Sequence, residues 1–302
     1  MKHLGLILLL LMGLTSCDTL RRSGPVAPAA PPTIFGGELS DYWYRGEAEI
    51  TTYTLEQARY GELRPGEVVL IQVTEDFLTD EQVKNDKYVN PNSAPVLKTN
   101  LIRRFTTGIY DYSVMTSVFT PTDGRRHPYT LKVTTSEQDW CGQSFTQLNY
   151  TGGRDYRMQL RSYFETEGDR EERLTADFLE DEVFNRIRIA GTLPEGEFRV
   201  VPPTGYLLMT HQPYAATPAT ARTEAAGEGQ QRYVLHYPSL GRTLEVTYDR
   251  AAPYVIRGWK ETYPSGGEVL TTTATLQRQT LSPYWKLNAT KDAHLRRQLG
   301  LR

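Results

Sequence analysis

Polar and apolar side chains alternate with a period of two through most of the chain after residue 40. Tyr129, Leu131 and Val133 share one face, with polar residues between them. The same alternation recurs over 156–165 and 243–248. Half-buried antiparallel strands have this pattern. Residues 68–73 are almost continuously apolar, which predicts a central strand that is covered on both faces.

Turn-forming residues separate the alternating segments. Four short stretches, 64–67, 122–125, 151–154 and 264–267, combine glycine with proline, aspartate or a second glycine. The first has the residue order of a type II turn, and the second has the Asp-Gly pair of a type I′ hairpin. Residues 213–230 are rich in Ala, Thr and Gly and predict a mobile loop. The chain therefore predicts a meander of strands.

Helical periodicity is scarce. Apolar residues recur at helical spacing through 175–189, with Gly191 as a stop signal, and a second helix is predicted over 290–299, ended by Gly300. The whole pattern predicts a mainly β fold: a large curved antiparallel sheet, or an open barrel or sandwich, with one or two short helices. We expect the 175–189 helix to cover part of the concave apolar face. The uncovered part would form a groove for an acyl chain or an apolar peptide.

The first 16 residues predict a lipoprotein signal peptide. Lys2 gives a positive start, residues 4–14 are almost wholly apolar, and the run Leu-Thr-Ser-Cys at 14–17 has the form of a bacterial lipobox. This apolar run is too short to span a bilayer, which takes about 20 residues. We therefore expect cleavage before Cys17 and lipidation of its thiol, which would anchor the exported protein to the bacterial envelope, with the outer membrane as the expected location.

Composition divides the rest of the chain into a tether and a folded domain. Residues 17–40 contain four prolines among alanines and predict an extended, unfolded tether. Residues 41–302 predict a single large β-rich domain. Acidic and basic residues are interspersed, 36 against 34, for a net charge of −2. Without a basic block or stripe, nucleic acid is not an expected partner.

Cysteine and histidine give little indication of a reactive centre. With Cys17 lipidated, Cys141 has no partner for a disulfide. Residues 140–144 are similar to a Trp-Cys-Gly redox motif with serine in place of the second cysteine, but the residues that follow predict a strand where redox chemistry needs a helix. We therefore interpret Cys141 as a small buried thiol in a strand. A nucleophilic pair of Cys141 with a distant histidine stays open.

The four histidines that remain after signal removal do not have metal-binding spacing, so neither a metal nor a cofactor is expected. They are His127, His211, His236 and His294.

Carboxylates form three close pairs, Glu47 with Glu49, Glu75 with Asp76, and Glu165 with Glu167. Glycoside hydrolysis uses two carboxylates that flank a bond, and β folds can carry them. The wet face of an exposed strand explains them more simply. Trp43, Trp140, Trp259 and Trp285 are spread along the domain with many tyrosines, which suits either a packed core or a surface that stacks on sugars or apolar ligands.

Four stretches carry a resemblance to a known family: residues 43–50, 57–62, 73–77 and 139–142. They resemble lipoproteins of the Bacteroidota that are often labelled septum formation inhibitor Maf. The resemblance spans most of the chain after Trp43 and implies no site residues. The nucleotide pyrophosphatases that properly hold that name are cytoplasmic α/β enzymes with a Ser-Pro-Arg-Arg type motif. Here Ser282-Pro283 is followed by Tyr and Trp, so that activity is not expected.

The sequence thus predicts a membrane-anchored envelope lipoprotein that acts as a binding or structural module. Its expected partners are the membrane, through the lipid, and an apolar ligand or another envelope protein. The alternative is a hydrolase of envelope or other glycans that uses carboxylates on strands.

Overall fold

Fifteen strands follow one another through nearly the whole folded chain. The computed structural model describes residues 39–301, so the predicted signal peptide, Cys17 and most of the predicted tether lie outside the described residues. The strands are β1 (Ala48–Arg59), β2 (Glu62–Leu78), β3 (Ser93–Thr107), β4 (Tyr110–Pro121), β5 (Lys132–Gln138), β6 (Gln143–Gly152), β7 (Asp155–Arg161), β8 (Arg170–Thr175), β9 (Phe178–Leu179), β10 (Gly196–Val201), β11 (Thr217–Ala225), β12 (Gln230–Tyr237), β13 (Arg242–Asp249), β14 (Ile256–Ser265) and β15 (Glu268–Ser282). The described α-helices are α1 (Val183–Ala190), α2 (Thr204–Thr210) and α3 (Leu295–Gln298). The predicted mainly β fold is confirmed.

All fifteen strands belong to one open sheet. Its order is β8-β7-β6-β5-β4-β3-β2-β1-β15-β14-β13-β12-β11-β10-β9, so neighbours in the chain are neighbours in the sheet, except β8 and β9. The first and last strands, β1 and β15, pair at the centre, while β8 and β9 form the two edges. Every ladder is antiparallel except the short parallel pair of β9 with β10. The predicted meander of strands is therefore confirmed.

Side-chain contacts show that the sheet bends toward one face. Arg103 on β3 and Glu261 on β14 form an ion pair at 2.6 Å, although three other strands lie between β3 and β14. On a flat sheet these four strand spacings amount to about 19 Å, more than the two side chains can span. The face that carries Arg103 and Glu261 is called the inner face below. The bend does not close the sheet into a barrel.

Alternating strands place their apolar side chains on the inner face, as predicted. Along β13, Leu244, Val246 and Tyr248 are buried and the residues between them are half-buried. They join the larger core cluster of the protein, which also includes Val68 and Leu70 of β2. The β2 segment 68–73 lies beside the central strand of the sheet, so the prediction of a covered central strand is confirmed.

Two helices cover much of the inner face. Asn185 of α1 is fully buried, and its amide donates to the Leu97 carbonyl on β3 and to Thr120 Oγ1 on β4, both at 2.9 Å. α2 contacts β4 and β5. The predicted helix over 175–189 is correct in its second half and in its stop at Gly191, where φ is +67°. Its first half is wrong, because residues 178–179 form an edge strand and 180–182 a 3₁₀ turn.

Several turns and loops differ from the sequence prediction. Residues 64–67 continue β2 instead of forming a turn. Gly66 lies so close to β3 that a Cβ atom there would stand 2.3 Å from the Arg104 carbonyl oxygen, so the glycine serves strand packing. Residues 122–125 do not form the predicted two-residue hairpin; they begin a loop of about ten residues between β4 and β5. Residues 213–230 contain β11 rather than a mobile loop, since pairing with β10 and β12 supplies its backbone hydrogen bonds.

The other local predictions are confirmed. The glycine turns at 151–154 and 264–267 connect β6 with β7 and β14 with β15. The predicted helix over 290–299 is a 3₁₀ segment followed by α3, and Gly300 has φ +72°. α2 was not predicted. Within 39–301 none of the helices has both the length and the apolar character that crossing a bilayer requires.

Candidate functional site

A network of buried charges ties the two halves of the inner face together. The Arg242 guanidinium donates to both carboxylate oxygens of Glu180, at 2.5 and 2.6 Å, and lies 3.5 Å from Glu261. Glu261 in turn pairs with Arg103 at 2.6 Å. Burial alone would raise the pKa of the Glu261 carboxyl, but the charges of Arg103 and Arg242 outweigh it, so this pKa is lowered. Two cations thus balance two anions, which fits a structural clamp.

The cavity beside this network is small. It measures about 70 Å³ and lies between β3, β4, β14 and the two inner-face helices. A cavity needs about 10–15 Å³ for each water, so this one has room for roughly five waters and not for an acyl chain. Asp181 lines it, and burial raises the pKa of this carboxyl to about 7, while Thr204 donates to it from its backbone N–H at 3.0 Å. The groove expected for an acyl chain on the uncovered inner face is not formed here.

A second cleft lies at one end of the strands. In an antiparallel meander alternate connections meet at the same end, and here those after β1, β3, β5 and β7 do so. The cleft measures about 120 Å³ and is lined by the connections after β1, β5 and β7, by residues of the neighbouring strands and by the residue that ends α2. We call it the mouth cleft. Its walls rest on strands, which hold the lining groups in place.

Aromatic rings form much of the cleft wall. Tyr60, Tyr112, Tyr163 and Phe164 all line it. Tyr60 and Tyr163 are 52% and 60% exposed, so their rings are open to a ligand. Tyr60 also has φ +55°, a backbone conformation that is uncommon for a residue other than glycine and that often marks functional sites. Exposed rings in a cleft are typical of ligand-binding surfaces.

Arg59, at the end of β1, lies between the rings. Its guanidinium carbon is 4.2 Å from the centre of the Tyr60 ring and 5.2 Å from that of Tyr112. It donates to the hydroxyls of both tyrosines and to the Met209 carbonyl at the end of α2. Its Nε–H is buried and has no hydrogen-bond partner. One strong donor in the cleft is therefore unused.

Glu137 faces the cleft from β5 and is an unused acceptor. It shares the inner face with Val133 and Thr135, and no hydrogen bond holds its carboxylate among the described residues. Burial raises the pKa of this carboxyl to about 7, the charge of Arg59 opposes that shift, and the nearby charges of Asp139 and Glu167 add to it. A carboxyl in this state can both accept and donate a hydrogen near neutral pH.

His211 ends α2 and completes the wall. Its Nδ1 lies 2.8 Å from Glu167 Oε1, and its ring meets the Phe164 ring edge-on at 4.5 Å. If Nδ1 donates to the carboxylate, the neutral ring keeps Nε2 as an acceptor for another group. Like Tyr60, His211 has φ +55°. Two residues with left-handed backbone therefore line one cleft.

Cys141 lines the same cleft but not as predicted. It is exposed in the hairpin between β5 and β6, so its interpretation as a buried strand thiol is wrong. The side chain of Asp139 accepts hydrogen bonds from the backbone N–H groups of Cys141 and Gly142, at 2.6 and 3.1 Å, which stabilises the exposed turn. A strand, β6, follows, as predicted. His211 lines the same cleft, and among the described residues no hydrogen bond joins it to Cys141.

The predicted carboxylate pairs have three different fates. Glu49 is buried on the inner face, where Arg188 of α1 pairs with it at 2.5 Å, so the expected wet face is wrong there. Glu75 pairs with Lys98 at 2.7 Å outside the cleft. Glu167 contacts His211, which lines the mouth cleft, and the sequence did not predict this contact. The described residues contain no cluster of three metal-ligating side chains.

Histidines and tryptophans are also dispersed. His236 contacts Thr243 and His294 contacts the Lys291 carbonyl, both outside the cleft. His127 lies in the β4–β5 loop. Trp43 and Trp259 are core residues, whereas Trp140 beside the cleft and Trp285 elsewhere are 70% and 44% exposed.

Sequence reasoning missed Arg59, Tyr60, Tyr112 and Glu137. A usable signal was present for Glu137, because the alternation that buries Val133 places it on the same face. Two stretches that carry the family resemblance, 57–62 and 139–142, meet at this cleft.

Comparison with known proteins gave no match: no family model, no curated protein and no solved structure is similar to this chain.

Proposed function

We propose that the protein is an exported lipoprotein, anchored to the bacterial envelope through Cys17, whose β domain binds an envelope ligand in the mouth cleft. One observation carries the proposal. The unused Arg59 donor and the unused Glu137 acceptor lie in one cleft walled by exposed aromatic rings. Buried polar groups are normally paired, so polar groups left unpaired at the wall of a cleft favour a ligand site there.

The anchor part of the proposal rests on the lipobox. Replacing Cys17 by serine removes the thiol that would receive the lipid. We expect metabolic labelling with a fatty acid to disappear in Cys17→Ser, while Cys141→Ser keeps the label. Label that persists in the first variant would contradict the anchor.

A site-specific cross-linker tests the cleft without assuming the ligand. Benzoylphenylalanine would replace Tyr163, which is 60% exposed in the cleft, and in a matched variant Tyr88, which is 69% exposed between β2 and β3 at the other end of the strands. After irradiation of cells, we expect an adduct at Tyr163 and none at Tyr88. The absence of an adduct at Tyr163, or equal adducts at both sites, would contradict binding in the cleft.

Hydrolysis is the second candidate function. The raised pKa of Glu137, about 7, suits a general acid, and Asp139 and Glu167 are carboxylates close enough to influence it. Glycosidases pair such an acid with a second carboxylate. New reducing ends released from an envelope glycan by the wild type but not by Glu137→Gln would favour this candidate. Unchanged glycan after prolonged incubation would favour binding alone.

A further inference from the structure

We infer that the ligand of the mouth cleft is a carbohydrate chain, with one sugar residue inside the cleft and further residues along the aromatic surface next to it. The inference rests on the proposed function, because it names the ligand class of the same cleft. It is drawn from the hydrogen-bonding groups of the cleft, from their charges and from the arrangement of the rings.

The unused polar groups match hydroxyls. Arg59 offers a buried donor, and Glu137 offers an acceptor that can also donate. His211 keeps one ring nitrogen beyond its contact with Glu167. A sugar hydroxyl donates and accepts at once, so adjacent hydroxyls can satisfy such a mixed set. A purely apolar ligand would cover these groups without replacing their water, which costs binding energy for each group left unpaired.

The charges of the cleft disfavour a strongly charged ligand. Arg59 is a cation at the cleft wall, and Asp139 and Glu167 are acids around it. An anionic group would meet the two acids, and an ammonium group would meet Arg59. A neutral ligand avoids both conflicts.

The rings suit the flat C–H faces of sugars. Tyr60 and Tyr163 line the cleft, and each is more than half exposed. Amphipathic rings that line a cleft provide an apolar face and a polar edge, which is what a sugar ring itself presents. The cleft volume of about 120 Å³ corresponds to about ten water-sized groups, close to the size of one sugar residue.

An aromatic series continues from the cleft and argues for more than one sugar. Tyr112 of the cleft has its ring centre 5.8 Å from that of Tyr110, and the Tyr110 ring is 6.5 Å from Trp140. Trp140 is 70% exposed at the tip of the β5–β6 hairpin. A chain that leaves the cleft would meet this ring next, which gives a second stacking position.

The test measures binding of defined saccharides to the full chain purified in detergent. The probes are the hexasaccharides of glucose, mannose, xylose and N-acetylglucosamine, followed by calorimetry. We expect saturable binding of at least one of them. Trp140→Ala and Glu137→Ala should each weaken it about tenfold, the effect of losing one good contact. Trp285→Ala, which removes an exposed tryptophan away from the cleft, should leave binding unchanged.

Three outcomes would overturn the inference in distinguishable ways. If none of the four saccharides binds while tetralysine or another non-carbohydrate probe binds and Trp140→Ala weakens that binding, the cleft is a ligand site but not for carbohydrate. If saccharides bind equally well to wild type, Trp140→Ala and Glu137→Ala, the carbohydrate site lies elsewhere. If no probe binds and Tyr163 cross-links to nothing, the proposed function itself fails.

Discussion

Replacing Glu180 by glutamine should destabilise the fold through a single buried cation. The Arg242 side chain is 0% exposed and Glu180 is 3% exposed, and two hydrogen bonds join them. Glu261 lies 3.5 Å from the Arg242 guanidinium and already forms an ion pair with Arg103 at 2.6 Å, so it can replace the lost charge of Glu180 only in part. Removing one partner of a buried pair costs about 3–5 kcal/mol. Glutamine keeps one acceptor, so we expect about 3 kcal/mol, a large share of the roughly 5–15 kcal/mol that stabilises most domains.

Urea unfolding followed by tryptophan fluorescence measures this loss as a lower midpoint at unchanged slope. The matched control is Glu224→Gln, which breaks a pair with Arg232 at 2.5 Å on the surface. Exposed pairs contribute about 0–1 kcal/mol, so this variant should unfold almost like the wild type. The double variant Glu180→Leu with Arg242→Met removes both charges and should regain part of the loss. If Glu180→Gln and Glu224→Gln unfold alike, the clamp does not stabilise the fold.

Three further perturbations have defined outcomes. The pKa of Glu137 is about 7 in the folded protein against 4.5 in the unfolded chain, so its ionisation destabilises the fold increasingly between those pH values and fully above pH 7. Glu137→Gln should therefore raise the melting temperature above pH 7 and leave it unchanged below pH 4.5. Equal shifts of the melting temperature at both pH values would contradict burial as the cause. Gly66→Ala should lower the free energy of unfolding in urea by about 1–3 kcal/mol, because the new Cβ atom would stand 2.3 Å from a carbonyl oxygen. Gly205→Ala should leave the free energy of unfolding unchanged, because the nearest neighbour of its Cβ atom would be 3.5 Å away. Cys141 should react with a maleimide in the native protein as fast as in urea, and Cys141→Ala should change stability by less than about 0.5 kcal/mol; slow labelling of the native thiol would show that the hairpin is covered.

Local patterns predicted the strands well because their cause is local. A period of two needs only one covered and one less covered face, and β13 shows it without interruption. Residues 64–67 failed for the opposite reason. Their Pro-Gly order is a turn signal, but the glycine is needed where β3 crowds the inner face of β2, a contact between residues far apart in the chain. The edge strand at 178–179 likewise exists only because β10 pairs with it.

The mouth cleft could be predicted only in fragments. Its residues come from segments between Arg59 and His211, and only the strand order brings those segments to one end of the sheet. Glu137 was missed although it is in phase with buried residues, and its unpaired state depends on what Arg59 already contacts. Neither the exposure of Cys141 nor the pairing of Glu49 with Arg188 is encoded in nearby residues.

The central pairing of β1 with β15 has a consequence for how the protein reaches its native state. Glu49 and Gln279, hydrogen-bonded side chains on these strands, are 230 residues apart in the chain. During synthesis β1 emerges early, and its partner β15 is the last strand to emerge. Until then β1 is the open edge of a growing half-sheet, which is the kind of edge that pairs with other chains. Such non-local closure also slows folding. The centre of the finished sheet is therefore the part that is most exposed to wrong pairing until the last strand arrives.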